Sequence, residues 1–314
     1  MSAWIPITIA AAFVQNLRFM LQKHVRAVSL STAGATFARF VFSFPLAIGL
    51  VAIYAALSGQ GIPIPDGRFW AFALTGGVAQ ILATACVVAL FAFRNFTVGM
   101  TFKNTETLQT ALVGFLILNE GLSIPGLAAI VIGFIGVGFL ADPPDQAVAG
   151  GLRARFMNRA AILGILAGAF FAVSATGYRG ASLSLPTGDV LLRAAFTLAA
   201  VTTTQTLIMI VWLMLREPGE IGKVLRAWRV TALVGLTSML GSLGWFTAFT
   251  LVSAAYVRVV GQVELVFSYA ASVFVFKEKI SLRELMGIAL ILLSVVVLVL
   301  DFGGIGPFAR TSAG

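Results

Sequence analysis

The sequence has one cysteine, one histidine and few charges. Only 11% of its 314 residues are charged, against roughly 25% in soluble domains, which excludes a soluble globular fold. The single cysteine, Cys86, lies in an apolar stretch, where it packs as a small residue and leaves no internal disulfide. With His24 as the sole histidine, the chain offers no metal cluster. Without a second histidine or a Gly-x-Ser-x-Gly elbow, it also offers no nucleophile with its base. Neither enzyme chemistry nor a cofactor or metal is expected. Acidic residues are scarce too, with Asp+Glu 12 against Lys+Arg 21 and a net charge of +9. The basic residues are scattered between apolar stretches, so they read as membrane-topology signals and not as a nucleic-acid surface.

What is abundant is apolar. Hydrophobic residues make up 59% of the chain and the mean hydropathy is +1.00. A bilayer core of about 30 Å takes roughly 20 apolar residues per helix. Apolar runs bounded by Gly, Pro and charge fall at 5–22, 30–57, 69–93, 96–118, 122–140, 160–178, 188–215, 229–250, 254–276 and 282–300. The expected fold class is an all-α integral membrane protein with ten transmembrane helices. The start MSAWIPITIA lacks a basic n-region, so the first helix is read as retained and not as a signal peptide. The longest connections are 141–159, which divides the chain nearly in half, and 216–229.

The two halves repeat. Shifting the chain by about 158 residues lays TFKNTETLQTALVGFLILNEGLSIPGLAAIVIGFIGVGFL (101–140) over VVGQVELVFSYAASVFVFKEKISLRELMGIALILLSVVVL (259–298). Glu106 then meets Glu264, Glu120 meets Glu278 and Ser123 meets Ser281. With small gaps, Arg39 meets Arg193, and LFAF at 90–93 meets FTAF at 246–249. Ionisable residues are costly inside a bilayer, so their recurrence at matched places carries weight that apolar matches lack. Two five-helix repeats are expected, over 1–142 and 159–302, joined by a loop at 143–158 and followed by a tail at 303–314. Because five is odd, the second repeat enters the membrane inverted, a plan that places a substrate site at the midplane.

These residues resemble a known family. Each half has an arginine in its second helix (Arg39, Arg193) and a glutamate early in its fourth (Glu106, Glu264). A motif leading into the fifth follows, Asn119-Glu120-Gly121-Leu122-Ser123 in one half and Lys277-Glu278-Lys279-Ile280-Ser281 in the other. The pattern is similar to the EamA-like transporters of the drug/metabolite transporter superfamily and covers nearly the whole chain. This chain has Glu106-Thr107 and Glu264-Leu265 where the family usually carries Glu-Pro. The resemblance implies carrier-type movement of small metabolites, amino acids or drugs through a cavity lined by helices one, three, four, six, eight and nine.

Five basic residues, Arg18, Arg39, Lys103, Arg193 and Arg258, lie inside the expected helices against two acids, Glu106 and Glu264. Lys103 and Glu106 stand at i and i+3, close enough to pair. Arg258 shares a face with Gln262, while Glu264 points about 120° away at 100° per residue, which leaves Arg258 without a local partner. The candidate substrate-binding residues are therefore Arg258 and Lys103 as counter-ions, Trp245 and Tyr256 as apolar contacts, and Asn16, Gln80 and Gln262 as polar ones. Glu106, Glu264, Arg39 and Arg193 are candidates for coupling or gating. Gln15, Thr84, Asn104, Gln205 and Tyr269 read as helix-to-helix bonds, and Trp4, Trp70, Trp212 and Trp228 as an interfacial belt.

The expected function is alternating-access transport of a small anionic or zwitterionic solute, with a coupling proton or counter-substrate left open. Export of amino acids or amphiphilic drugs through the glutamates is the alternative within transport. A non-transporting lipid-binding or scaffold protein is the alternative of another class. Loops 1–2, 3–4, 5–6, 7–8 and 9–10 carry thirteen Lys and Arg, against Arg68, Arg179 and Arg310 on the other side. By the positive-inside rule both termini lie outside, in a plasma membrane (the inner membrane of a bacterium), and the partners are the bilayer and a solute, in a monomer or homodimer. Direction of transport is not legible.

Overall fold

The computed structural model describes residues 3–28, 30–90, 103, 106–120, 123–140, 159–275 and 282–302. Asn104, the motif at 277–281, the loop at 143–158 and the tail at 303–314 lie outside them. Among the described residues there are helices and no strands. In chain order the helices are α1 (Trp4–Val28), α2 (Thr32–Val41), α3 (Ser43–Ser58), α4 (Gly67–Leu90), α5 (Glu106–Leu118), α6 (Ile124–Leu140) and α7 (Arg159–Ser184). They continue as α8 (Val190–Arg216), α9 (Glu220–Arg226), α10 (Trp228–Leu251), α11 (Ala254–Gly261), α12 (Val263–Phe274) and α13 (Leu282–Phe302). Six stretches are long and apolar enough to cross a membrane: Trp4–Arg26, Thr32–Ser58, Gly67–Leu90, Ile162–Ser184, Val190–Arg216 and Trp228–Leu251.

Two expected continuous helices are interrupted. The second breaks at Phe42 (φ −92°, ψ −15°), three residues before Pro45, which has no N–H for the Val41 carbonyl. The ninth breaks at Gln262, where no proline stands and the Gln262 N–H turns back to the Val259 and Val260 carbonyls. Gly261, a weak helix former, precedes that break. The connection at 216–229 is also not plain loop, because it contains α9.

Packing pairs helices from opposite halves. α4 packs on α7 and α10 on α1; α5 packs on α7 and α12 on α1; α2 and α3 pack on α8, α6 on α13 and α5 on α11. Small residues permit the closest crossings. A Cβ on Gly177 would lie 3.0 Å from the Gly76 Cα, and one on Gly136 would lie 2.8 Å from the Gly287 carbonyl.

α8 runs antiparallel to α2 and α3, and polar ties hold both ends. At one end Asp189 caps α8 by accepting from the Leu192 N–H, and it also accepts from the Tyr54 hydroxyl (2.7 Å) and the Gln60 amide (2.9 Å). These donors, the Leu192 N–H foremost, hold the Asp189 carboxyl below the ordinary carboxylate range. At the other end the Ser31 N–H donates to Glu220 (2.6 Å) and its hydroxyl donates to Glu217, while Lys223 pairs with Glu220 at 2.9 Å. Burial would push the Glu220 carboxyl up, but Lys223 and Ser31 outweigh it and hold it below its usual value.

Trp70, Trp212 and Trp228 are exposed, as an interfacial belt requires, but Trp4 is buried in the core. Arg179, counted above as a loop charge, lies inside α7. The polar end of its long side chain finds partners there.

Candidate functional site

Where α1, α5, α7, α10, α11 and α12 converge, four ionisable side chains are buried together. Lys103 lies 2.7 Å from Glu264 and 3.5 Å from Glu106, and the Arg258 Nε lies 2.8 Å from the Glu106 Oε1. Lys103, Glu106 and Glu264 are each no more than 2% exposed. The Arg258–Glu106 approach is close but lacks hydrogen-bond alignment, so it is a Coulombic pair. Within this quartet two basic and two acidic side chains balance.

Among the described residues the carboxylate beside Arg258 is a distant one and not a local one. Arg258 finds its carboxylate on α5, a helix that local spacing cannot see. The expected Lys103–Glu106 pair is present, and Lys103 additionally reaches into the second half.

Aromatic faces enclose the cations. The Arg258 guanidinium lies 4.4 Å from the Trp245 ring centroid and 5.1 Å from that of Phe249. The Lys103 ammonium lies 5.5 Å from Phe171 and 5.8 Å from Phe19. Gly261 makes room for the indole, since a Cβ there would lie 2.6 Å from the Trp245 ring.

α1 supplies further members. Gln15 donates to Glu264 at 3.0 Å, and Arg18, 1% exposed, stacks on Phe19 at 4.1 Å and donates to Gln22 at 3.4 Å. Asn16 accepts from Ser268 at 3.0 Å, joining α1 to α12. Gln15 and Arg18 are absent from the sequence-derived site, yet a signal for them exists. Gln15, Arg18 and Gln22 stand at i, i+3 and i+7, a polar stripe on one face of an otherwise apolar helix.

Several buried polar atoms around the cluster have no hydrogen-bond partner among the described residues. The acceptors are the Oε1 atoms of Glu264 and Gln262, and the donors are the Trp245 Nε1 and the Arg18 Nη2. Each such group costs about 1 to 3 kcal/mol if left unmatched. Such unmatched buried groups call for a partner, and an ordered water, an ion or a bound polar molecule would each supply one.

The remaining candidates stand apart. Arg39 donates only to neutral hydroxyls, Thr84 on α4 (2.8 Å) and Ser238 (3.0 Å) and Ser242 (3.4 Å) on α10, so it fastens three helices. Arg193 lies in the first turn of α8, half-buried, and its Nε has no partner among the described residues. Gln80 accepts from Gln205 at 2.9 Å in a separate layer with Tyr178. Tyr256 accepts from the Ser123 N–H (2.9 Å), which ties α11 to the start of α6. Gln262 lies directly against Gly133 of α6.

A second network lies beside this cluster. Arg179 pairs with Glu120 and donates to the Phe249 (2.6 Å) and Val252 (2.9 Å) carbonyls at the end of α10. The Ser182 and Thr250 hydroxyls meet at 2.6 Å just beside it.

Comparisons with known proteins agree with this architecture. Residues 158–300 match the model of the EamA-like transporter family, consistent with the drug/metabolite transporter superfamily. A solved structure, described as a crystal structure of a protein, shares the fold with a TM-score of 0.70 at 14% identity, over 100% of this chain and 99% of its own. No curated protein matches the chain in sequence. That family consists of membrane transporters and not enzymes. With the apolar helices, the match makes this a multi-pass membrane protein.

Proposed function

From a second half that matches the EamA-like transporters, we propose that this protein is a secondary-active carrier of small zwitterionic metabolites. It would work by alternating access between two inverted five-helix repeats. The observation that carries this reading is the buried, charge-balanced quartet of Lys103, Glu106, Arg258 and Glu264, ringed by unmatched donors and acceptors. A zwitterion replaces such pairs like for like. Its carboxylate takes the place of a glutamate before Arg258 or Lys103, and its ammonium takes the place of Lys103 before Glu264. Within the quartet each charge keeps an opposite partner, while Arg18 beside it adds one further buried cation. Trp245 offers an indole N–H and an apolar face to the rest of the solute.

The packing supports the inverted ten-span plan. Exchanging the halves maps α4 on α7 to α10 on α1, and α5 on α7 to α12 on α1, while α6 on α13 and α3 on α8 map to themselves. Glu106 and Glu264 exchange with each other and Lys103 and Arg258 do not, so the charge centre is asymmetric although the scaffold is nearly symmetric. In this conformation the quartet is buried and Arg179 is paired with Glu120. Transport therefore requires the repeats to rock apart at α5 and α11. Glu106 or Glu264 carries a coupling proton when a cation partner is displaced.

With Arg179 inside α7 the opposite loops hold fewer basic residues, which supports reading both termini as outside a plasma membrane. A C-terminal reporter active only outside the cytoplasm tests this by its signal. For the substrate class, detergent-purified protein is screened by thermal shift against zwitterionic, anionic and cationic amino acids. Stabilisation by zwitterions above the other two supports the reading. Stabilisation by anions alone favours the anion carrier, and by cations alone the glutamate-based exporter.

A further inference from the structure

A second site lies on the lipid-facing surface, beneath the basic rim formed by the loops before α2 and after α8. A groove of about 250 Å³ runs between α2, α4 and α8, lined among others by Ala33, Ile81, Ala85, Met209 and Trp212. Its one hydroxyl from α2, on Thr36, is spent on the Thr32 carbonyl (2.8 Å). The groove therefore offers no polar partner there and suits hydrocarbon. Along α4 it extends from Val78 to Ala85, about 10 Å at 1.5 Å per residue, which is most of the hydrocarbon depth of one leaflet, about 15 Å.

Its mouth is basic. Ile208, Trp212 and Arg216 stand at i, i+4 and i+8, so the stripe that lines the groove ends on an exposed arginine at the end of α8. On the α2 side Arg26 donates to the Thr32 hydroxyl, next to Ala33 of the groove. Arg226 and Arg229 are exposed nearby on α9 and at the start of α10. The acids of this rim are engaged, Glu217 with Ser31 and Glu220 with Ser31 and Lys223. Lys223 offsets Glu220, the exposed arginines outnumber the remaining Glu217, and Trp212 marks the membrane interface.

We propose that this groove is a binding site for an anionic phospholipid, its acyl chain laid between α2, α4 and α8 and its phosphate held by Arg26 and Arg216. The site is independent of the substrate site. A bound lipid braces α2 against α8, the pair tied by Ser31, Glu217 and Glu220.

The test is native mass spectrometry of the full chain with phosphatidylglycerol and with phosphatidylcholine carrying the same acyl chains, with inorganic phosphate as a separate arm in thermal shift. The wild type is expected to retain phosphatidylglycerol preferentially. Arg216→Gln, on the surface, and Arg26→Gln, half-buried, should each weaken it about fivefold and leave phosphatidylcholine unchanged. Ala85→Phe fills the groove and should weaken both lipids. Three results would overturn the proposal: equal binding of the two lipids by wild type, a preference that survives the double arginine variant, or stabilisation by inorganic phosphate equal to that by phosphatidylglycerol. These readouts involve no transport, so they stand or fall apart from the carrier reading.

Discussion

The Lys103 ammonium lies 2.7 Å from the Glu264 carboxylate and so binds the first half of the chain to the second across 161 positions. Removing one partner of a buried pair leaves a charge without compensation, at a cost of about 3 to 5 kcal/mol. Lys103→Met should therefore lower the apparent Tm sharply, and Lys103→Met/Glu264→Gln should be more stable than Lys103→Met alone. A double variant that is weaker by the sum of its parts would show that the two residues act independently.

Arg258 combines a carboxylate neighbour with an indole face, and these have separate tests. Arg258→Gln should abolish stabilisation by zwitterions in the thermal-shift screen, and Arg258→Lys should restore part of it. Trp245→Phe keeps a ring under the cation and should bind more tightly than Trp245→Ala. Equal affinities for the two Trp245 variants would remove the aromatic face from the site.

Under the proposed rocking motion, Arg179 holds one face of the site closed. A charge-assisted hydrogen bond contributes about 1.5 to 3 kcal/mol, so Arg179→Gln should raise the open population roughly tenfold or more. In a Cys86→Ala background, Ser182→Cys reports this through its reaction with a membrane-impermeant maleimide. Faster labelling with Arg179→Gln is expected, and unchanged labelling would mean that another contact closes this face.

Six of the ten apolar runs coincide with stretches long and apolar enough to cross a membrane, and they were legible because an apolar run is a one-dimensional signal. The pairing of Lys103 with Glu106 was legible for the same reason, since i and i+3 neighbours are fixed by helix geometry. The partner of Arg258 was not, because Glu106 lies on another helix, and the break at Gln262 was not either, because no proline announces it. The partners of Tyr256 and Gln80 were not legible, because buried polar groups in membrane helices look alike in sequence. Only packing shows that their partners are Ser123 and Gln205. Arg179 read as a loop charge because the apolar run ended at 178, whereas α7 continues to Ser184.

Asp189, outside the spans, gives a pH-dependent prediction. Its carboxyl is held below the ordinary range in the folded state, so its ties to Leu192, Tyr54 and Gln60 stabilise the fold above the unfolded-state value of about 4. That stability is lost as pH falls through the lower, folded-state value. Asp189→Asn should have a lower apparent Tm than wild type at neutral pH, and the gap should narrow on acidification below about pH 4. A gap independent of pH would show that the carboxylate charge contributes nothing to the tie.

The most direct test of the central claim is exchange of radiolabelled zwitterionic amino acids across proteoliposomes containing the purified protein, wild type beside Glu264→Gln. Saturable exchange of at least one zwitterion by wild type, strongly reduced in the folded variant, is the predicted result. No exchange of any solute, or exchange that is the same in both proteins, would contradict the account.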